Sequence, residues 1–91
     1  MTCVSIAGLD SRTMPTIRRE GPYRFYFHSG DIGEPAHVHV DSSDGTAKFW
    51  LSPVSLHYNI GLSPRELRMI ERVVLERRRE FLEAWNAYFS A

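Results

Sequence analysis

Hydrophobic and polar positions alternate with a period of two in stretches between Thr16 and Tyr58, then change to a helical period. Tyr23-Arg24-Phe25-Tyr26-Phe27-His28-Ser29 is dense in aromatics and predicts a strand with Tyr23, Phe25 and Phe27 inward and Arg24, Tyr26 and His28 outward. Thr16–Glu20 predicts a shorter strand before it, closed by the turn pair Gly21-Pro22. Gly30 to Pro35 reads as a loop. His37–Asp41 follows as a strand with Val38 and Val40 in the core, which leaves His37, His39 and Asp41 on the other face. Ser42 to Gly45 is a hairpin turn with Asp-Gly as its strongest element, and Thr46–Leu51 returns with Ala47, Phe49 and Leu51 inward. Val54–Tyr58 predicts a last short edge strand, and Asn59-Ile60-Gly61 a turn.

From Ser63 the period becomes 3.6. Ser63 is the predicted N-cap, Pro64 sits at the first helical position, and Glu66 completes a capping box. Leu67, Ile70, Val74, Phe81, Leu82, Trp85, Tyr88 and Phe89 form one stripe, so a single helix is expected to about Tyr88. The expected fold is α+β: an antiparallel β-meander of three to five strands with one long C-terminal helix packed on one face. Residues 1–13 show no period and read as a loose leader, and residues 14–91 as one domain.

Composition changes this picture in three places. The eleven Lys and Arg balance the eleven Asp and Glu, which argues against a generic nucleic-acid coat. All the basic residues but Lys48 are arginines, which suit flat anionic partners. The lone Cys3 has no disulfide partner in the chain, so a reducing, cytoplasmic setting is the default. No apolar run approaches the roughly 20 residues of a membrane span, so no membrane partner is expected.

The candidate chemistry lies on the outward sheet face, which displays Arg24, Tyr26, His28, His37, His39, Asp41, Lys48 and Trp50. His37 and His39 point the same way from one strand. With His28 as a third nitrogen, and Asp41 or Asp31 supplying an oxygen, they have the makings of a divalent metal site. Tyr26 and Trp50 with Arg24 and Lys48 also suit base stacking and phosphate contact, or a protein interface. A bland alternative keeps Tyr26 and Trp50 as packing and the histidines as loop ties. Histidines near a carboxylate also suit proton transfer, but no Ser or Cys stands beside His37 or His39 to act as nucleophile.

On the helix, Arg79 belongs to a solvated charged side, whereas Arg78 falls within the apolar stripe and is expected to snorkel or pair with a carboxylate. The helix amino end at Ser63, with Arg65 or His57 assisting, is a weaker candidate for an anion.

Several segments in order carry a family resemblance: Met14-Pro15-Thr16-Ile17, Arg24-Phe25-Tyr26-Phe27, Pro35-Ala36-His37-Val38-His39-Val40, Ala47-Lys48-Phe49-Trp50-Leu51, Gly61-Leu62-Ser63-Pro64-Arg65-Glu66-Leu67 and Leu82-Glu83-Ala84-Trp85-Asn86. Residues 14–89 thus resemble the small bacterial family known as domain of unknown function 4160. The family pattern reads Pro-Pro-His-Val-His where this chain has Pro35-Ala36. His37, His39, Lys48, Trp50 and Arg65 match the pattern, while His28 and Arg78 are singled out on physical grounds. The resemblance carries no established activity. It implies a component of a small paired operon with a toxin–antitoxin-like role. The expected function is therefore a small module that binds a partner protein, or nucleic acid, through the His/aromatic/Arg face. The rival is a metal- or histidine-dependent hydrolase or nuclease using His37 and His39. No cofactor is expected beyond a divalent metal, and a homodimer through the sheet face is a third arrangement.

Overall fold

A computed structural model describes residues 16–89, so the expected leader, Cys3 and the Met14-Pro15 pair lie outside the described residues. Five strands follow one another in chain order: β1 (Thr16–Glu20), β2 (Tyr23–Tyr26), β3 (His37–Asp41), β4 (Thr46–Leu51) and β5 (Val54–Ile60). Each pairs antiparallel with the next, giving an open five-stranded meander. Two helices complete the domain, α1 (Pro64–Glu76) and α2 (Arg78–Phe89).

Register places the core. Phe25 pairs with Val40, Val38 with Phe49, and Val40 with Ala47, so these residues share one face. Against it the helices lay Ile70 and Val74 from α1 and Phe81 and Trp85 from α2, all buried. The Phe25 and Phe81 rings stand 5.3 Å apart, and Phe27 meets Trp85 edge-on at 5.2 Å. The helical stripe thus covers the inner sheet face as its spacing predicts.

The single long helix is instead two. Arg77, at φ −105° and ψ 13°, closes α1 with its N–H donating to the Val73 carbonyl. No proline or glycine marks this point, and the tie made there is tertiary. Arg78 donates from Nε to the Leu51 carbonyl at 2.6 Å and from its terminal nitrogen to Ser52 Oγ at 2.6 Å. Arg78 is exposed, as snorkelling predicts, and its partners are a strand-end carbonyl and a hydroxyl rather than a carboxylate. Arg18 of β1 adds a second tie to α2 through Glu80 at 3.3 Å.

Two strands differ in length from their expected spans. β2 ends at Tyr26, and β5 continues to Ile60. Asn59 is strand rather than turn, although its side chain makes turn-like bonds, accepting from the Leu62 amide and donating to the Leu62 carbonyl. Gly61 then turns the chain at φ +87°, beside Gly45 of the β3–β4 hairpin. A Cβ at Gly45 would run into the Ile60 carbonyl oxygen, so glycine is what lets the hairpin tip meet the end of β5.

Candidate functional site

The centre of the outer sheet face is covered, not solvated. The loop between β2 and β3 folds back over it. A short 3₁₀ turn at Ser29–Asp31 starts that loop, with the Asp31 amide bonded to the His28 carbonyl at 3.0 Å. Asp31 in return accepts from the His28 amide at 2.9 Å. Glu34, further along, accepts from Lys48 Nζ at 2.8 Å. The loop thereby lays two carboxylates onto β3 and β4.

Asp31 is the centre of the resulting cluster. Its Oδ2 lies 3.0 Å from His37 Nε2 and 3.1 Å from His39 Nε2. All three side chains are buried, His37 completely at 0 % exposure. His37 Nδ1 stands 2.9 Å from the Pro35 carbonyl, which can only accept, so Nδ1 carries a proton. The contact of His37 Nε2 with Asp31 lacks hydrogen-bond geometry, which leaves that buried nitrogen without a hydrogen-bond partner among the described residues. His39 Nδ1 is likewise buried and unpaired.

The electrostatics follow from this enclosure. Burial opposes ionisation of Asp31, but the His28 amide and the two imidazoles outweigh it and hold the carboxyl below its usual range. For His39 burial dominates and lowers its pKa despite the pull of Asp31. The hydrogen bond from Lys48 holds Glu34 down.

Of the residues expected on an exposed binding face, Tyr26, His37, His39 and Lys48 are buried. Their surroundings account for this. The Tyr26 ring stacks on His39 at 5.3 Å, and its hydroxyl donates to Asp41 Oδ1 at 2.9 Å. Arg24, half-buried, lies over the Tyr26 ring at 4.3 Å and donates to Thr16 Oγ1. Trp50 stays half-buried between Lys48 Nζ, 4.7 Å from its ring centre, and the His57 ring at 4.8 Å. His37 is further closed in by Trp85, with ring centres 4.9 Å apart.

His28, expected as the third metal-facing nitrogen, stands beside the cluster with its ring centre 4.4 Å from that of His39. Asp31, named only as one of two oxygen donors, takes the central place, and its donor atom lies within 4.8 Å of those of His37 and His39. Asp41 instead serves Tyr26 and Thr46. Sequence reasoning missed Glu34. The one available signal was a loop acid near the chain's sole lysine.

The helix start is already occupied by its own residues. Ser63 Oγ accepts from the Glu66 amide at 3.1 Å, and Glu66 accepts from the Ser63 amide at 2.9 Å. That amide bond is the largest influence holding the Glu66 carboxyl down, and Glu66 beside Asp44 pushes the Asp44 carboxyl up. His57 belongs to β5 rather than the helix start. Arg65 is exposed at the first turn.

Fold and site together define an α+β meander domain with a buried aspartate–histidine cluster under its own loop. The family model described as Domain of unknown function (DUF4160) matches residues 23–86, and the chain belongs to that family. No curated protein and no solved structure matches the chain. No helix among the described residues is long and apolar enough to cross a membrane.

Proposed function

We propose that this domain is an interaction module for a partner protein, of the toxin–antitoxin-like kind its family resemblance implies, and that the partner adds an apolar strand to β5. One observation carries the reading. β5 is a seven-residue edge strand without Asp, Glu, Lys or Arg, and Leu56, Tyr58 and Ile60 on it are 44 %, 39 % and 64 % exposed. Among the described residues no strand pairs with its far side. An open edge with exposed apolar side chains and no acidic, lysine or arginine guard is a template for strand addition, in which main-chain bonds give affinity and alternate side chains give specificity. The opposite edge differs: β1 carries Arg18, Arg19 and Glu20, charges of the kind that discourage pairing.

This reading moves the interface from the centre of the outer face to its rim. Tyr58 and Ile60 pair with Lys48 and Thr46, and so lie on the outer face beside Trp50. Leu56 pairs with Phe49 and lies on the helix side. A strand added to β5 would meet apolar side chains on both faces. A hydrolase or nuclease needs its reacting groups open to substrate, and the burial of His37 and His39 favours binding over that role.

The test is co-purification with the product of the adjacent gene, followed by amide hydrogen exchange on the complex. The expected result is a one-to-one complex with new protection across Val54–Ile60. Leu56→Lys with Ile60→Lys should weaken it at least tenfold, about 1.4 kcal/mol. Failure to recover a complex would overturn the reading. So would protection confined to other surfaces, or a homodimer that occupies β5 alone.

A further inference from the structure

We propose that Asp31, His37 and His39 form a binding site for one divalent transition-metal ion of zinc-like character, which bolts the β2–β3 loop onto β3. This inference stands apart from the β5 reading and rests on different residues.

The donor atoms are the first ground. Two imidazole Nε2 atoms approach one carboxylate oxygen at 3.0 Å and 3.1 Å. Ligands about 2.1 Å from a tetrahedral zinc stand about 3.4 Å from one another, so each nitrogen need part from the carboxylate oxygen by only a few tenths of an ångström, and all three donors already lie within 4.8 Å of one another. Two nitrogens and one oxygen are the set that zinc, cobalt or nickel takes. Magnesium and calcium prefer oxygen alone.

The second ground is the state of His37. Its Nδ1 proton is committed to the Pro35 carbonyl at 2.9 Å. In the neutral ring the lone pair is therefore on Nε2, the atom that lies 3.0 Å from Asp31 Oδ2. That lone pair points off the N···O line, so a buried acceptor and a carboxylate oxygen lie in contact with no proton shared between them. A proton placed on Nε2 would not meet the oxygen in hydrogen-bond geometry either. A cation beside the N···O line satisfies both atoms at once. An imidazole whose far nitrogen donates to a backbone carbonyl is also the usual outer support of a metal-bound histidine. His39 Nδ1 is unpaired with or without an ion, so it does not bear on the choice.

The third ground is placement. Asp31 comes from the 3₁₀ turn, while His37 and His39 come from β3. The Asp31 carboxylate is oriented by the His28 amide at 2.9 Å. An ion would thus cross-link a loop to a strand, in a site closed by Tyr26, Trp50 and Trp85. That enclosure suits a structural ion. His28 borders His39 by its ring but is not one of the three grouped donors.

The experiment uses the full chain, stripped with a chelator and titrated with cobalt(II). Visible ligand-field bands should grow to saturation at one ion per chain, and zinc should displace cobalt and abolish them. The melting temperature should rise with zinc concentration, because an ion bound only to the folded state stabilises it by mass action. Asp31→Asn keeps an oxygen for the His28 amide but loses the anionic donor. It should bind more than about 100-fold more weakly, beyond the loss typical of groups one shell further out. Circular dichroism would confirm that the variant folds. Absence of both bands and melting shift in the wild-type chain would overturn the proposal, whatever the variant does. Bands of undiminished affinity in a folded Asp31→Asn chain would overturn it equally.

Discussion

On the helix side of the sheet, Phe25, Val38, Val40, Ala47, Phe49 and Leu51 meet Ile70, Val74, Phe81 and Trp85, with no ionisable group among them. On the other side, Tyr26, His37, His39 and Lys48 are nearly as well buried, and every one has a polar atom to place. The first face is held by the removal of apolar surface from water, a non-directional force that tolerates small misfits. The second is held by paired charges and hydrogen bonds, which cost free energy whenever a partner is missing. A small chain that buries both faces of one sheet has thus used two different kinds of cohesion. Only one of them depends on a loop landing correctly.

The largest expected effect breaks the apolar side. Phe81 is wholly buried at the joint of α2 and β2, and Phe81→Ala should cost about 3–5 kcal/mol by lost transfer energy and the cavity left behind. Urea unfolding of the two proteins measures it. A cost under about 1 kcal/mol would mean that the helices do not hold the sheet as described. The corresponding break on the polar side is Asp31→Ala in metal-free protein. It removes the acceptor for the His28 amide and for His39 Nε2, and should cost about 2–4 kcal/mol. The two variants also differ in reach: Asp31→Ala should raise amide exchange in the 29–35 loop, whereas Phe81→Ala should loosen both helices.

The apolar side was legible in the sequence because its rules are local. Alternation assigned Phe25, Val38 and Phe49 to one face, and Ser63, Pro64 and Glu66 marked the helix start from residue types alone. The polar side was legible only in part. The period-two rule put His37 and His39 together, but the partners that bury them, Asp31 and Glu34, lie in a loop with no period. Where a loop lands is set by contacts across the fold, and alternation says nothing of them. The helix break had no signal either, since Glu76-Arg77-Arg78-Arg79 contains neither proline nor glycine. β5 was read short because Asn59 favours turns. Here its side chain bonds the following backbone while its own backbone stays in the ladder.

A smaller effect probes the boundary between the sides. Arg78→Ala removes two bonds to the β4–β5 turn at a partly exposed place, so about 1–2 kcal/mol is expected. Amide exchange at Ser52 and Val54 should rise with it. Unchanged stability and exchange would leave the helix break without the tie assigned to it.

The smallest effect tests the polar side by pH. Tyr26→Phe keeps the ring on His39 and deletes one bond to Asp41, which retains Thr46 as a donor, so about 1 kcal/mol is expected at neutral pH. The Tyr26 phenol is pushed from 10.0 up to about 12, first by burial and then by its hydrogen bond to Asp41. A group whose folded pKa is raised contributes its stability in full below the unfolded value and loses it as pH climbs through the folded one. The wild-type advantage over Tyr26→Phe should therefore hold steady to about pH 10 and shrink between about 10 and 12. Tyr23 and Tyr88 are also raised by burial, but both proteins keep them, so their contribution cancels in the difference. Paired urea unfolding across that range measures the gap directly. If the gap stays constant to pH 12, Tyr26 ionises no more reluctantly folded than unfolded, and the outer face is open to water where the structure closes it.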